Sequence, residues 1–172
     1  MARLRDASAY RKVKKAYVRT SKYRKHNFIR GVPGSKVVMF DVGNKKRDFP
    51  CSVLIRAKVG INLRHNAIES ARIAATKHIE KAIGKENFHL KIRVVPHHIM
   101  RENPLATGAG ADRFQEGMRH AFGKPIGYSA RVKKGMPMFQ IFVEEENLAH
   151  AKEALRKAIS KFPIACTYEI NH

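Results

Sequence analysis

The chain has 172 residues, is 44% hydrophobic, and carries 35 Lys and Arg against 14 Asp and Glu, a formal net charge of +21. That length fits one domain plus an extension, and that apolar share can fill a core. No run of 18 apolar residues occurs, so no transmembrane helix is expected.

Charge is densest at the start. The first thirty residues hold eleven basic side chains: Arg3, Arg5, Arg11, Lys12, Lys14, Lys15, Arg19, Lys22, Arg24, Lys25 and Arg30. Asp6 is the single acid among them. Such a segment repels itself and fits beside a polyanion, because each phosphate it neutralises releases a counterion. Tyr10, Tyr17, Tyr23 and Phe28 are interleaved with the charges, as expected where rings stack on bases. The excess continues beyond it, with 24 basic against 13 acidic side chains in residues 31–172. The segment lacks the apolar stretch of a secretory signal, and its Lys clusters and scarce Ser argue against a transit peptide. Residues 1–34 therefore read as a basic RNA-binding extension, ended by the turn Gly31-Val-Pro-Gly-Ser. Residues 35–172 read as one domain whose helices and strands need no apolar pattern from residues 1–30.

Within that domain Val37–Val42 reads as a strand and Gly43–Lys46 as a turn. Pro50–Ile61 reads as one long strand, with Cys51, Val53, Ile55, Ala57 and Val59 on its apolar face. Its other face carries Ser52, Arg56 and Lys58, and is expected to be wet or to meet RNA. Asn66–Ile83 is the clearest helix. Ile68, Ala71, Ala75, Ile79, Ala82 and Ile83 form its stripe, Asn66 and Glu69 have capping-box spacing, and Gly84 stands where a left-handed cap belongs. Phe88–Val95 alternates as a half-buried strand closed by Pro96. His97–Ala111 shows no period and reads as a loop, mobile at about 100–112. Asp112–Phe122 has the pattern of a short helix, with Phe114, Met118, Ala121 and Phe122 on one face. Ile126–Val132 and Met138–Val143 read as strands. Glu145–Lys161 reads as a second helix, and Ile164–Ile170 as a last strand. This order predicts an α+β fold, a two-layer sandwich of mainly antiparallel strands with two principal helices.

Two cysteines are too few for a disulfide framework, and free thiols in a reducing cytosol are expected. A disulfide between Cys51 and Cys166 stays open if their strands are neighbours. Gly31–Lys36 has two residues between its glycines instead of the four of a phosphate loop. Gly108-Ala-Gly110 lacks the preceding strand of a dinucleotide fingerprint. His97 and His98 are the best metal or base candidates, but adjacent residues of an extended chain point opposite ways, and no zinc spacing occurs. The three acids at 144–146 suit a helix start. No nucleophile has a recognisable setting. Neither a cofactor, a metal, a small-molecule substrate nor catalysis is expected. The residues leave two other classes open: a free-standing nucleic-acid-binding protein, and an RNA-processing enzyme using His97 or His98.

The run Pro104-Leu-Ala-Thr-Gly-Ala-Gly-Ala-Asp-Arg-Phe-Gln-Glu-Gly-Met-Arg-His-Ala-Phe-Gly-Lys-Pro-Ile-Gly-Tyr-Ser-Ala-Arg-Val132 closely resembles one family. It is the universal large-subunit ribosomal protein family called L-sixteen in bacteria and L-ten-e in archaea and eukaryotes. The run is similar to the archaeal and eukaryotic branch, as are Arg11-Lys-Val-Lys-Lys-Ala-Tyr17 and Ile68-Glu-Ser-Ala-Arg-Ile-Ala-Ala75. The resemblance implies a ribosomal RNA-binding protein with a β-hammerhead motif, placed in cytoplasmic ribosomes beside RNA and neighbouring ribosomal proteins. It implies a position near the A site and the peptidyl-transferase region, with a central loop reaching towards tRNA. That loop maps to about Arg101–Asp112, with Arg101, Asn103, Thr107, Gly108, Gly110, Asp112 and Arg113 facing tRNA. Lys124 and Arg131 match basic positions of the following motif. Bacterial members have a shorter, more basic loop, so their residue roles do not carry over.

Overall fold

A computed structural model gives the fold and describes residues 5–11, 17–103, 105–106 and 108–171. Among the described residues three helices and eight strands follow one another: α1 (Ala7–Arg11), β1 (Asp41–Gly43), β2 (Cys51–Ala57), β3 (Ile61–Arg64), α2 (His65–Ile83), β4 (Phe88–Ile92), β5 (His98–Glu102), β6 (Lys124–Val132), β7 (Pro137–Val143), α3 (Leu148–Ile159) and β8 (Cys166–Asn171). Five strands form one sheet in the order β1-β4-β7-β2-β8, and three form another in the order β3-β6-β5. Every pairing is antiparallel. The α+β class with two principal helices is as expected.

The core follows from the stripes. In α2, Ile68, Ala71, Ala75 and Ile79 are fully buried. In α3, Ala151, Ala154, Leu155 and Ala158 are. The two helices pack on each other, α3 against β2 and β7, and α2 against β4 and the smaller sheet. Phe88, Leu90, Ile55, Phe139 and Ile141 meet them from the larger sheet, and the Phe139 ring lies 5.5 Å from that of Phe162.

Several boundaries differ from the sequence reading, each for a local reason. The long strand Pro50–Ile61 is two strands. Ala57 accepts a hydrogen bond from the Gly135 N–H (2.8 Å), and the Lys58 N–H donates to the Ala165 carbonyl (3.1 Å). The chain then bends and enters the second sheet at Ile61, so Val59 is exposed despite its apolar phase. Of Val37–Val42 only the end is strand, although Val37 is buried and the Phe40 carbonyl accepts from the Ile92 N–H. The start of His97–Ala111 is β5, paired to β6 through an irregular step at Met100/Arg101 that hides its alternation. The helix expected at Asp112–Phe122 is a single 3-10 turn, Ala111–Arg113. Gly110 and Gly117 both take positive φ there. Phe114, Met118 and Phe122 are exposed, so the proposed apolar face is not buried in the core, and burial of that face is what would hold a helix this short.

The caps differ too. The N-cap of α2 is Arg64, not Asn66, and Glu69 binds Arg72 three residues on instead of reaching back. Gly84 has the positive φ expected of a cap, but its ψ is extended. β2 and β8 are neighbours, yet Ala57 faces Cys166 while Ser52 faces Asn171. Cys51 therefore sits at the opposite end of the pair, roughly 20 Å away, far beyond disulfide reach. Neither Cys51 nor Cys166 is in a disulfide.

Candidate nucleic-acid interface

The basic extension does more than carry charge. Tyr10 is buried in the core (7% exposed), where a stacking role had been expected for it, and Ile29 is buried as well. The Tyr10 hydroxyl accepts from the Arg5 backbone N–H and from Arg64 Nη1, both at 3.1 Å. Tyr10 and Ile29 thus complete part of the packing that residues 1–30 were expected to leave alone. Burying a ring of this size stabilises by about 1.5–3 kcal/mol.

The remaining described charges of this segment point outwards. Arg11, Arg19, Lys22, Arg24, Lys25 and Arg30 are exposed, and among the described residues no carboxylate pairs with them. Arg5 is engaged with Glu102 of β5. Arg3, Lys12, Lys14 and Lys15 lie outside the described residues, as does Thr107.

Three aromatic rings from two distant segments meet at the surface. Tyr17 and Phe28 pack edge to face with centroids 4.8 Å apart, and Phe28 packs the same way on Phe122 at 5.7 Å. Arg101 lies over the Phe122 ring, 4.3 Å from its centroid. Here the extension touches the start and end of the 101–122 excursion. Asn103 is half-buried, Asp112 and Arg113 are exposed, and Gly108 and Gly110 take positive φ values that side chains resist.

A second face is the side of the five-stranded sheet opposite the helices. It carries a polar ladder: Arg93 Nη1 donates to Gln140 Oε1 (3.1 Å), and Gln140 Nε2 donates to Ser52 Oγ (3.1 Å). Ser52 is buried in that ladder, not wet. Arg56, expected to meet RNA, pairs with Glu169 of β8 and donates to the Gly135 carbonyl. That pair raises the Arg56 pKa and holds the Glu169 carboxyl below its usual range, each mainly through their shared hydrogen bond. Lys58 and Lys124 are exposed, and Arg131 is half-buried in β6 opposite Asn62.

His97 and His98 do diverge. His97 is exposed with Nδ1 2.9 Å from the Val95 carbonyl, and His98 is buried. Among the described residues no group of His, Cys, Asp and Glu could hold a metal ion. Gly31–Lys36 is followed by no helix, so it lacks the amide cradle of a phosphate loop. No helix is long and apolar enough to cross a membrane among the described residues.

The family model described as Ribosomal protein L16p/L10e matches residues 18–169. The chain belongs to the L16p/L10e family. It is 46% identical over 163 residues to the large ribosomal subunit protein uL16 of Archaeoglobus fulgidus, covering 95% of this chain and 90% of the relative. The protein of the same name in Methanoculleus marisnigri is 46% identical over 160 residues, covering 92% and 91%. That of Staphylothermus marinus is 48% identical over 143 residues, covering 83% and 82%. The resemblance to the archaeal branch is therefore correct, and L16p/L10e is a family of ribosomal proteins, not of enzymes.

Reading this L16p/L10e chain as a sequence missed His65. It is buried at the start of α2, where Nδ1 accepts the Lys36 backbone N–H at 3.1 Å. An Nδ1 that accepts carries no proton, so the ring is neutral. Burial lowers its pKa, and the charges of Arg64 and Lys36 lower it further. Against it lies Gly127 at φ +151°, where an added Cβ would sit 2.9 Å from His65 Nε2. The only local hint was a glycine interrupting the alternation of β6.

Proposed function

We propose that the chain is a structural constituent of the large ribosomal subunit that holds ribosomal RNA through phosphate contacts. We propose further that it helps position tRNA near the A site and the peptidyl-transferase region during translation. The match over residues 18–169 carries this reading. The exposed side chains of Arg11, Arg19, Lys22, Arg24, Lys25 and Arg30 support it, because phosphate contacts supply much of the affinity for RNA while fixing position. Its partners are large-subunit RNA, tRNA and neighbouring ribosomal proteins, and its place is the cytoplasmic ribosome. The chemistry of translation belongs to the RNA, and the protein contributes placement. In this reading residues 1–34 are the RNA-binding extension, anchored to the folded domain of 35–172 by the buried Tyr10. Its tRNA-facing loop is about Arg101–Asp112, with Arg113 following it and Arg101 standing at its base in β5.

The test is sedimentation of the native protein. It should travel with large ribosomal subunits and leave them only at high salt. Free sedimentation at low salt, or equally tight binding to isolated duplex DNA, would favour a free-standing nucleic-acid-binding protein. For the loop, shortening Asn103–Gly110 should leave the melting temperature nearly unchanged, since its described residues bury little, and should impair tRNA binding by assembled subunits. Subunits that bind tRNA and translate normally without it would reject the tRNA role.

A further inference from the structure

We propose that Tyr17, Phe28, Phe122 and Arg101 form a stacking site for an unpaired RNA base. The proposal rests on the RNA reading above and names one contact within it. Tyr17 is 61% exposed, Phe28 47% and Phe122 59%, while the core rings Phe88 and Phe139 are fully buried. A contiguous exposed aromatic cluster on a soluble surface marks a place where something binds. Its rings touch edge to face, at interplanar angles of 75° and 74°, so ring surface is left for a planar partner.

Charge selects the partner. Arg101 already lies over Phe122, and a guanidinium plane stacks on bases as aromatic rings do. Arg30 follows Phe28 by two residues, the Phe28 N–H donates to the Arg19 carbonyl (3.0 Å), and Lys124 follows Phe122 by two residues. All three are exposed. Glu102, the acid beside Arg101, is engaged by Arg5. Exposed rings with a guanidinium on one of them and other cations close by in the chain fit a base whose own backbone is anionic. The base has to be unpaired, because a duplex keeps its ring faces stacked inside. The rings come from both sides of the molecule's sequence, so the bound base would tie the extension to the exit of the 101–122 excursion.

The chain contains no Trp. Phe122→Trp in the full-length protein therefore places a single indole reporter in the cluster. Its fluorescence should be quenched by short single-stranded RNA and not by duplex RNA of equal phosphate number. Tyr17→Leu and Phe122→Leu should each weaken single-strand binding by about tenfold at fixed salt, with the salt slope unchanged. Phe122→Tyr should bind as the wild type does, and this variant together with the Trp reporter decides the matter if a Leu variant fails to fold. Leu variants that bind normally, or an indole that single-stranded RNA leaves unquenched, would overturn the stacking site. A wild-type chain without salt-dependent RNA binding would instead overturn the RNA reading itself.

Discussion

Consider replacing Arg19, Lys22, Arg24, Lys25 and Arg30 together by Gln. All five are exposed, and none pairs with a carboxylate among the described residues. Arg30 donates one 3.4 Å hydrogen bond to the Lys25 carbonyl, and the other four side chains hold no core contact that the fold depends on. The variant should therefore melt within a few degrees of the wild type, since surface changes of this kind are worth about ±0.5 kcal/mol each. Binding should change greatly. Each phosphate contact contributes about 0.9 to the slope of log affinity against log salt, so five contacts contribute about 4.5. Between about 50 and 200 mM salt the wild type should then lose roughly 500-fold more affinity than the variant. The assay is filter binding or fluorescence anisotropy with a large-subunit RNA fragment over a salt series, beside a thermal melt. A slope within about one unit of wild type would refute the claim that these side chains meet phosphates. A collapse in melting temperature would show that they hold the fold instead.

Tyr10→Ala should cost about 3–5 kcal/mol in urea unfolding, because it empties a core site and removes the hydroxyl that Arg64 donates to. Tyr23→Ala, at an exposed ring, should cost almost nothing, and equal effects would mean that Tyr10 is not core. His65 has a folded-state pKa below its unfolded value, so its contribution to stability is complete above about pH 6.5 and is lost as pH falls from there. His65→Gln should flatten the fall in urea midpoint between about pH 7.5 and 5, and an unchanged pH profile would count against the buried neutral ring. Gly127→Ala should cost about 1–3 kcal/mol, from the strained φ and from the encounter with His65 Nε2. A neutral result in the same unfolding assay would show that the ring gives way.

Long periodic segments were legible as sequence. The stripes of α2 and α3 and the alternation of β4 landed where expected, apart from an exposed Ala82, because burial of one face dictates period whatever the neighbours are. β6 and β7 are strands as read, but in β6 Ser129 of the expected polar face is fully buried while Ile126 and Tyr128 are half-buried, because the neighbouring elements cover both faces. The family was legible too, from a long specific run. Short elements were not. β5 and the split between β2 and β3 depend on which strand lies alongside, and the apolar phase runs unbroken through Val59 and Ile61 although the chain changes sheets between them.

What the sequence determined by itself was the period of each long element, the density of positive charge and the family, all of which are local or statistical properties of the chain. Only the tertiary structure decided which members of a class do which work. Tyr10 and Tyr17 stand in the same basic segment and look alike in sequence. One is buried beneath Arg64, and the other joins Phe28 and Phe122 at the surface. Arg56 and Arg19 are both basic, yet Glu169 engages the first, while no described carboxylate pairs with the second. The reason is that a side chain's role depends on what lies against it. For these residues the partners are 54 positions away at Arg64 and 113 at Glu169, separations that no local pattern encodes.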